Sequence, residues 1–186
     1  MRRTVHIVDD DLSFRTALER LLKYAGYEVA AYASAHQLLD HLPDVFGCVL
    51  LDVRMPGISG PELQGRLSEL GSTLPIIFLT GHPDIPTTVT AIKAGADDFL
   101  VKPVTPDELL RSIERAFAAH EATRDLQQKL DAVRARIRTL TPRERQVFDL
   151  VIRGNTNKGI ARAIGGTERT MKAHRHRVME KCKSNP

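Results

Sequence analysis

Carboxylates, a hydroxyl and an amine follow short apolar runs at four places in this sequence. Asp9 and Asp10 come after the first of these runs, and Asp52, Thr80 and Lys102 each come after a later one. A carboxylate attacks a phosphorylated donor only when charge is neutralised and the reacting atoms are aligned. Because Mg²⁺, an ammonium and a hydroxyl stabilise a phosphoryl group in transfer, these side chains fit phosphoryl chemistry.

Asp52 directly follows an apolar run that begins at Val45, and a loop with proline and glycine comes next. Such a run, bounded by turn residues, predicts a buried parallel strand. Ligands bind beyond the carboxyl ends of these strands in open α/β sheets. On this stretch alone Asp52 is either a reactive carboxylate or a residue that caps the next helix, and the other strand ends decide between the two.

A divalent cation fits the same residues. Mg²⁺ (or Mn²⁺) takes oxygen ligands, usually one or two carboxylates together with carbonyl groups and water. Asp9 and Asp10 would repel Asp52 without a cation among them, so the cluster requires positive charge. Lys102 can pair with Asp52 before transfer and with phosphoryl oxygens after it, while Thr80 can donate a hydrogen bond to a phosphoryl oxygen.

These residues can meet only if the strands before them lie side by side in one sheet. Five apolar runs alternate with helical patterns, at residues 4–8, 28–32, 45–52, 75–79 and 98–101. The alternation predicts right-handed crossovers and an α/β fold with a doubly wound five-stranded parallel sheet. In the helix after Asp52, the spacing predicts that Leu63, Leu67 and Leu70 face the core.

A long helix is predicted after the fifth strand. Thr105 is an N-cap residue with proline next and glutamate three residues on, and no glycine or further proline occurs before Arg138. Apolar residues then recur at alternating spacings of four and three: Leu126, Leu130, Val133, Ile137 and Leu140. This stripe either pairs two copies of the chain in a short coiled coil or packs inside the chain.

Residues 139–186 predict a small all-α domain with three helices. Thr141 repeats the capping pattern of the long helix, the second helix covers residues 157–164, and Thr167 caps the third. Three short helices with a basic third one are typical of a helix-turn-helix unit. The predicted domains are therefore 1–120, a helical linker at 121–138, and 139–186.

The charges divide along the same lines. Residues 1–120 carry 11 Lys and Arg against 16 Asp and Glu, whereas residues 121–186 carry 16 against 7. An acidic first part and a basic second part support two domains. The basic part predicts a polyanionic partner, unless it is only a solvated basic face.

The composition, with 42% hydrophobic and 27% charged residues, is ordinary for a soluble globular protein. No apolar run reaches the roughly 18 residues of a membrane span, and the start lacks the apolar segment of a secretory signal. Cys48 and Cys182 show no metal-ligand spacing, so we expect unpaired thiols. These features predict a cytoplasmic protein that contacts no membrane.

Residues 1–120 resemble the receiver domain of two-component response regulators, through the segments VHIVDDD, LLDVRMPGISG, FLTGH and DDFLVKP in that order. The resemblance implies a flavodoxin-like fold, with Asp52 as phospho-acceptor, Thr80 as switch hydroxyl and Lys102 as essential lysine. It implies a Mg²⁺ site formed by Asp52, Asp10 as a direct ligand, Asp9 acting largely through water, and the backbone carbonyl of Arg54. Phe99 would be the aromatic switch where the family commonly has tyrosine, or else a plain core residue.

Residues 140–181 resemble the helix-turn-helix of the LuxR type, through LTPRERQVFDLVIRGNTNKGIARAIGGTERTMKAH. With the receiver and the long linker, the chain resembles the FixJ branch of the NarL/FixJ regulators. The pattern implies major-groove contacts by Lys172, Ala173 and His176. It implies phosphate contacts by Lys158, Arg169, Thr170 and Arg175, any one of which could instead be a solvated surface residue. His174 is expected to pack or to contact backbone rather than to bind a metal.

Members of this family usually have a fourth helix that pairs two DNA-binding domains. The present sequence ends at Pro186, too early for that helix, which is either missing or cut off. We therefore expect stable binding to two DNA sites to depend on the receiver or on the stripe at 126–140.

The resemblance predicts a phosphorylation-activated transcription regulator rather than a turnover enzyme. The expected partners are a sensor histidine kinase, double-stranded promoter DNA, RNA polymerase and, after phosphorylation, a second copy of the chain. One rival interpretation is an aspartate-nucleophile phosphatase of the haloacid-dehalogenase type, since residues 9–11 contain Asp-x-Asp. Its lysine would precede the second acidic pair, whereas here Asp97 and Asp98 precede Lys102. The other rival is a regulator that acts through protein contacts and carries a vestigial DNA-binding unit.

Overall fold

A computed structural model of the chain describes residues 3–41, 47–82 and 84–183. The chain forms two compact units, which divide between Thr123 and Arg124. The predicted beginning of the third strand at Val45 lies outside the described residues. Among the described helices, none combines the length and apolar character needed to cross a membrane.

The first unit contains a parallel sheet of five strands: β1 Thr4–Val8, β2 Glu28–Tyr32, β3 Gly47–Asp52, β4 Ile76–Thr80 and β5 Asp98–Val101. Their order is β2-β1-β3-β4-β5, so the chain reverses its winding direction between β1 and β3. The doubly wound sheet predicted from the alternating runs is confirmed. A crevice for ligands forms at the carboxyl ends of strands where the winding reverses.

Five helices surround this sheet: α1 Leu12–Tyr24, α2 Ala35–Asp40, α3 Gly60–Glu69, α4 Ile85–Lys93 and α5 Pro106–Arg138. Alternate residues of the strands point to opposite faces. One face packs on α1 and the first turns of α5, and the other packs on α2, α3 and α4. Leu63 and Leu67 are buried, but the prediction for Leu70 was wrong. Leu70 is exposed because it is the C-cap of α3, where the chain leaves the helical path.

The second unit consists of α6 Pro142–Ile152, α7 Asn157–Ile164 and α8 Glu168–Cys182, together with the last part of α5. Val147, Ile160 and Met171 form its buried centre, one from each of the three short helices. The Glu144 side chain accepts a hydrogen bond from the Thr141 N–H at 2.9 Å and one from Lys181 at 2.7 Å. The Lys181 ammonium and the Thr141 N–H hold the pKa of Glu144 at about 2. This contact ties the end of α8 to the beginning of α6.

The apolar stripe on α5 is divided in the structure. Leu126, Leu130 and Val133 are between 43% and 59% exposed, whereas Ile137 is half-buried and Leu140 is buried. The C-terminal end of the stripe is thus packed within the chain. The three residues at its N-terminal end form an exposed patch about one heptad long.

His6 is a buried polar residue in the centre of β1. Its ring stacks on Tyr32 with centroids 6.1 Å apart, and neither ring nitrogen has a hydrogen-bond partner among the described residues. Burial lowers the pKa of His6 below its ordinary value. The folded state therefore disfavours the protonated ring, while the unfolded chain accepts a proton at about pH 6.5.

We expect His6 to make the first unit less stable as the pH falls below about 6.5, since the unfolded state binds the proton first. One such group contributes at most about 1.4 kcal/mol per pH unit. Urea unfolding at pH 5.5 and 7.5 measures this, with tyrosine fluorescence as a specific probe because all three tyrosines lie in the first unit. His6→Leu should lose part of the pH dependence, and a variant with the wild-type slope would contradict this role.

Candidate functional site

The predicted reactive residues lie at one edge of the sheet. Asp9 directly follows β1, Asp52 and Thr80 are the last residues of β3 and β4, and Lys102 directly follows β5. The strand register aligns these ends, since Asp52 pairs with Leu79 and the preceding residue of β3 pairs with the last residue of β1. Parallel pairing therefore brings together groups that are far apart in the sequence.

Lys102 bridges two of the predicted carboxylates. Its Nζ donates to Oδ2 of Asp9 and to Oδ1 of Asp52, each at 2.7 Å. The other oxygen of Asp52, Oδ2, accepts the backbone N–H of Arg54 at 3.0 Å. Both carboxylates are buried, so one ammonium balances two buried negative groups in a water-poor setting.

This environment changes the proton affinities of the pair. Burial raises the pKa of Asp52 above its ordinary value, although the Lys102 ammonium acts in the opposite direction. Burial alone lowers the pKa of Lys102, but its hydrogen bonds to Asp52 and Asp9 outweigh this effect and leave the pKa above the ordinary value. Lys102 is thus firmly cationic, and the negative charge of Asp52 is costly to the fold.

Two of the predicted residues, Thr80 and Asp10, form no side-chain hydrogen bond to this cluster among the residues that the structure describes. Thr80 is buried, and its Oγ1 accepts the backbone N–H of His82 at 3.2 Å. Asp10 is exposed beside the buried Asp9. The structure therefore assembles Asp9, Asp52 and Lys102, while Thr80 and Asp10 stand at the same edge.

The donor set at this edge fits a hard divalent cation. Within the described ranges, no three His, Cys, Asp or Glu side chains are arranged so that they alone could hold a metal. Mg²⁺ commonly binds through only one or two carboxylates, with carbonyl groups, water and phosphate oxygens completing the octahedron. One ammonium leaves the three carboxylates of Asp9, Asp10 and Asp52 with excess negative charge. The chemistry of these residues is therefore compatible with the predicted Mg²⁺ site.

Gly60 holds the backbone of Asp52 in place, a role that was not predicted from the sequence. A Cβ at Gly60 would lie 2.4 Å from the carbonyl oxygen of Asp52 and 2.9 Å from the ring of Phe78. The Gly60 N–H also donates to the Val53 carbonyl at 3.0 Å. Only glycine fits this close approach of α3 to the end of β3. The second glycine in the loop after Asp52 was the only sequence signal for it.

Two residues of α1 also support the site without having been predicted to do so. Arg15 donates a hydrogen bond to the backbone carbonyl of Asp9. The ring of Phe14 lies under the Lys102 ammonium, with Nζ 4.2 Å from the ring centroid. In the sequence, Phe14 shows only the helical spacing of a core residue.

Phe99 lies on β5, three residues before Lys102. It is half-buried and packs against the core on the α2–α4 side of the sheet. Its ring centroid is 6.0 Å from that of Phe78, at an interplanar angle of 39°. Phe78 also lies close to Gly60, where an added Cβ would be 2.9 Å from its ring.

In the second unit, the residues predicted to contact DNA cluster on α8. Arg169, Lys172, Ala173 and His176 are all exposed, and their spacing places them on one face of the helix. The opposite face contains the buried Met171 and Val178. Lys158 on α7 is exposed as well. A recognition helix needs this arrangement, one face packed and the other available to a groove.

The remaining predicted contacts also have structural partners. Arg175 is half-buried and donates to Asn157 at 3.4 Å, which links α8 to α7. Thr170 lies 2.9 Å from Thr167 through the two hydroxyls, at the N-cap of α8. Nδ1 of His174 is buried and has no hydrogen-bond partner in the part of the chain that the structure describes, and the residue as a whole is half-buried. This position fits a packing residue, as predicted.

Asp11 distinguishes this site from that of an aspartate-nucleophile phosphatase. Its carboxylate is the N-cap of α1 and accepts the backbone N–H groups of Ser13 and Phe14. The second aspartate of the Asp-x-Asp pattern is therefore engaged in starting a helix. The phosphatase alternative is not favoured.

Comparison with known families gives two matches that together cover most of the chain. Residues 5–114 match the response regulator receiver domain. Residues 138–185 match the bacterial regulatory proteins of the luxR family.

Relatives share this arrangement over nearly the whole length. Nodulation protein W of Bradyrhizobium diazoefficiens is 42% identical over 97% of this chain and 80% of its own length. Transcriptional regulatory protein FixJ of Rhizobium meliloti is 43% identical over 97% of this chain and 89% of its own. The solved structure of response regulator StyR has a TM-score of 0.88 and 43% identity, covering 100% of this chain and 94% of that one. The chain therefore belongs to the response regulators that join a receiver domain to a LuxR-type DNA-binding domain.

Proposed function

We propose that this chain is a transcription regulator that is switched on when Asp52 accepts a phosphoryl group from a sensor histidine kinase. The observation that carries the proposal is the bridge from Lys102 to Asp9 and Asp52 at 2.7 Å each. The bridge holds the Asp52 carboxylate at the carboxyl end of β3, next to the fixed ammonium of Lys102. The chain acts as a phosphoryl acceptor and not as a turnover enzyme.

The reaction at Asp52 is a displacement at phosphorus. An oxygen of the Asp52 carboxylate forms a bond to phosphorus as the bond from phosphorus to the kinase histidine nitrogen breaks. The electron pair of the broken bond stays on that nitrogen, and Asp52 becomes an acyl phosphate. Lys102 then pairs with phosphoryl oxygens, and Asp9 keeps the ammonium in place.

Asp9, Asp10, Asp52 and the carbonyl of Arg54 would hold Mg²⁺ at this site. When bound, the cation supplies positive charge that neutralises the phosphoryl oxygens. Asp10 is the exposed carboxylate of the set, and it suits direct coordination because a cation from solvent reaches it first.

Phosphorylation adds about −1.5 to −2 charges at Asp52. The Thr80 hydroxyl turns from the His82 N–H towards a phosphoryl oxygen. This movement opens space beside the carboxyl ends of β4 and β5. Phe99 rotates towards that space. Because it lacks the hydroxyl of the common tyrosine, it can transmit the change only through the position of its ring. The surface formed by α4 and β5 then changes shape.

This surface suits pairing with a second copy of the chain. Ile85, Val89 and Ile92 lie along α4 at helical spacing, and Val101 lies on β5 beside it; all are between 44% and 80% exposed. An apolar strip that is exposed in a single chain is typical of an association surface. Pairing through α4 and β5 would make dimer formation depend on the phosphorylated state.

The apolar stripe on α5 suits self-pairing less well, because its edges are basic. In a parallel coiled coil the positions flanking Leu130 and Val133 include Lys129 and Arg134, which would face each other across two copies. An antiparallel pair places Lys129 opposite Arg136 in a similar way. Like charges at these flanking positions oppose association of two helices. We therefore assign dimer formation to the α4–β5 surface.

A pair of matched variants separates the two surfaces. Val89→Lys places a charge on the α4–β5 surface, and Leu130→Lys places the same charge on the α5 stripe. After treatment with acetyl phosphate and Mg²⁺, we expect Val89→Lys to weaken dimer formation at least about tenfold in sedimentation equilibrium, since a buried unpaired charge costs more than 1.4 kcal/mol. Leu130→Lys should associate like the wild type. The opposite pattern would contradict the assignment.

The second unit recognises promoter DNA through α8. Lys172, Ala173 and His176 would meet base edges, whereas Arg169 would hold a phosphate beside the exposed Lys158. RNA polymerase is the expected further partner. The proposed regulator acts in the cytoplasm.

Salt dependence provides the test of the phosphate contacts. A duplex selected from a random pool by the phosphorylated protein should bind less tightly as salt rises, because bound counterions are released. Arg169→Ala should reduce the slope of log K against log salt by about 0.9. Lys23→Ala, an exposed lysine on α1, should leave the slope unchanged. The absence of any salt slope in the wild type would favour the protein-contact alternative.

A further inference from the structure

We infer that Phe14 is a positioning residue for Lys102, an inference that rests on the proposed phosphorylation of Asp52. The Lys102 Nζ lies 4.2 Å from the centroid of the Phe14 ring. The ammonium therefore has three partners, the ring face and the carboxylates of Asp9 and Asp52. The ring belongs to α1, whereas Asp9 directly follows β1 and Asp52 ends β3.

The position of the Phe14 ring is set by the same loop that forms the site. Asp9 Oδ1 accepts the Asp11 N–H at 2.9 Å, and Asp11 Oδ1 accepts the Phe14 N–H at 3.1 Å. Phe14 also packs against the core on the α1 side of the sheet. Through Oδ1, Asp9 thus holds the loop that positions the ring. Through Oδ2, the same carboxylate holds Lys102. Replacing Asp9 would therefore remove a contact of the lysine and a contact of the loop that leads to the ring.

The physical reason for an aromatic ring at this position is the flexibility of lysine. Lysine carries a compact charge on four rotatable methylenes, so its ammonium needs several contacts to stay in one place. The face of an aromatic ring attracts a cation without taking up its hydrogen-bond donors. All three donors of Lys102 therefore stay available for carboxylate and phosphoryl oxygens. After Asp52 becomes an acyl phosphate, the ring and Asp9 still hold the ammonium at the reaction centre.

Two variants separate the π face of the ring from its bulk. Phe14→Leu keeps an apolar side chain and removes the π face, whereas Phe14→Tyr keeps the π face. Leu21→Ala serves as a control, since Leu21 packs against the same core from the same helix and its truncation loosens α1 without touching Lys102.

The first measurement is independent of phosphorylation. The ε-methylene protons of Lys102 should show an upfield ring-current shift in the nuclear magnetic resonance spectrum, assigned with Lys102→Arg. This shift should vanish in Phe14→Leu and persist in Phe14→Tyr and Leu21→Ala. A wild-type protein without the shift would overturn the inference.

The second measurement is the rate of Asp52 labelling by acetyl phosphate with Mg²⁺, as a function of acetyl phosphate concentration. Phe14→Leu should lower the maximal rate about three- to tenfold and leave the half-saturating concentration unchanged, as expected for loss of a cation–π contact. Phe14→Tyr and Leu21→Ala should keep rates near the wild type. Equal maximal rates for Phe14→Leu and the wild type would overturn the positioning role. Failure to label the wild type would instead overturn the proposed function, and the ring-current shift would still show whether the ring holds the lysine.

Discussion

Replacing Asp52 by asparagine is expected to abolish covalent labelling of the chain by acetyl phosphate and Mg²⁺. The amide lacks the anionic oxygen that attacks phosphorus. Intact-protein mass spectrometry measures the label. We expect at most about one hundredth of the wild-type rate, as for removal of a reacting group.

The Asp52→Asn variant should fold at least as well as the wild type. Burial raises the pKa of Asp52, so the ionised carboxylate destabilises the folded state at neutral pH when no metal is bound. Urea unfolding in the presence of EDTA should therefore give an equal or higher free energy of unfolding for the variant. A label that persists in Asp52→Asn, located by peptide mapping, would refute the assignment of the acceptor.

Removing the amine of Lys102 is expected to affect both stability and chemistry. Lys102→Met leaves the buried carboxylates of Asp9 and Asp52 without their shared cation. Loss of one partner of a buried ion pair costs about 3 kcal/mol. Tyrosine fluorescence during urea unfolding at pH 7.5 should show this loss, and the loss should shrink towards pH 5 because burial already favours the protonated form of Asp52.

The same variant should accept phosphate slowly. Lys102 supplies fixed positive charge to the transferring group, and removing one such group lowers a rate by about 10²–10³-fold. Lys23→Met is the matched control, since Lys23 forms an exposed pair with Glu19 and its loss should cost under about 0.5 kcal/mol. A Lys102→Met variant with wild-type stability and labelling rate would show that the bridge has no functional role.

The sequence predicted the fold well because the information is local. The five apolar runs and their turn residues indicate where each strand ends, and β1, β2 and β5 have the bounds that the runs suggested. Parallel pairing then brings the residues after these ends together whatever their side chains are. The meeting of Asp9, Asp52 and Lys102 was therefore predictable.

The contacts that depend on side-chain packing were harder to predict from the sequence. Phe14 shows helical spacing towards the core, and nothing in that spacing indicates that its ring lies under an ammonium. Leu70 continues the spacing of α3, but the helix has already ended there. The stripe on α5 illustrates a third limit, since periodicity identifies an apolar face without showing what covers it. Exposure of Leu126 in the folded chain is information that only the structure supplies.

The most direct test of the switch compares DNA affinity before and after phosphorylation. The dissociation constant for a selected duplex is measured for the wild type with and without acetyl phosphate, and for Asp52→Asn under both conditions. We expect phosphorylation to tighten wild-type binding by about tenfold or more, a coupling typical of regulated proteins, and to leave Asp52→Asn unchanged. A wild-type protein that carries the phosphoryl group on Asp52, as shown by its mass, and binds DNA with unchanged affinity would contradict the account.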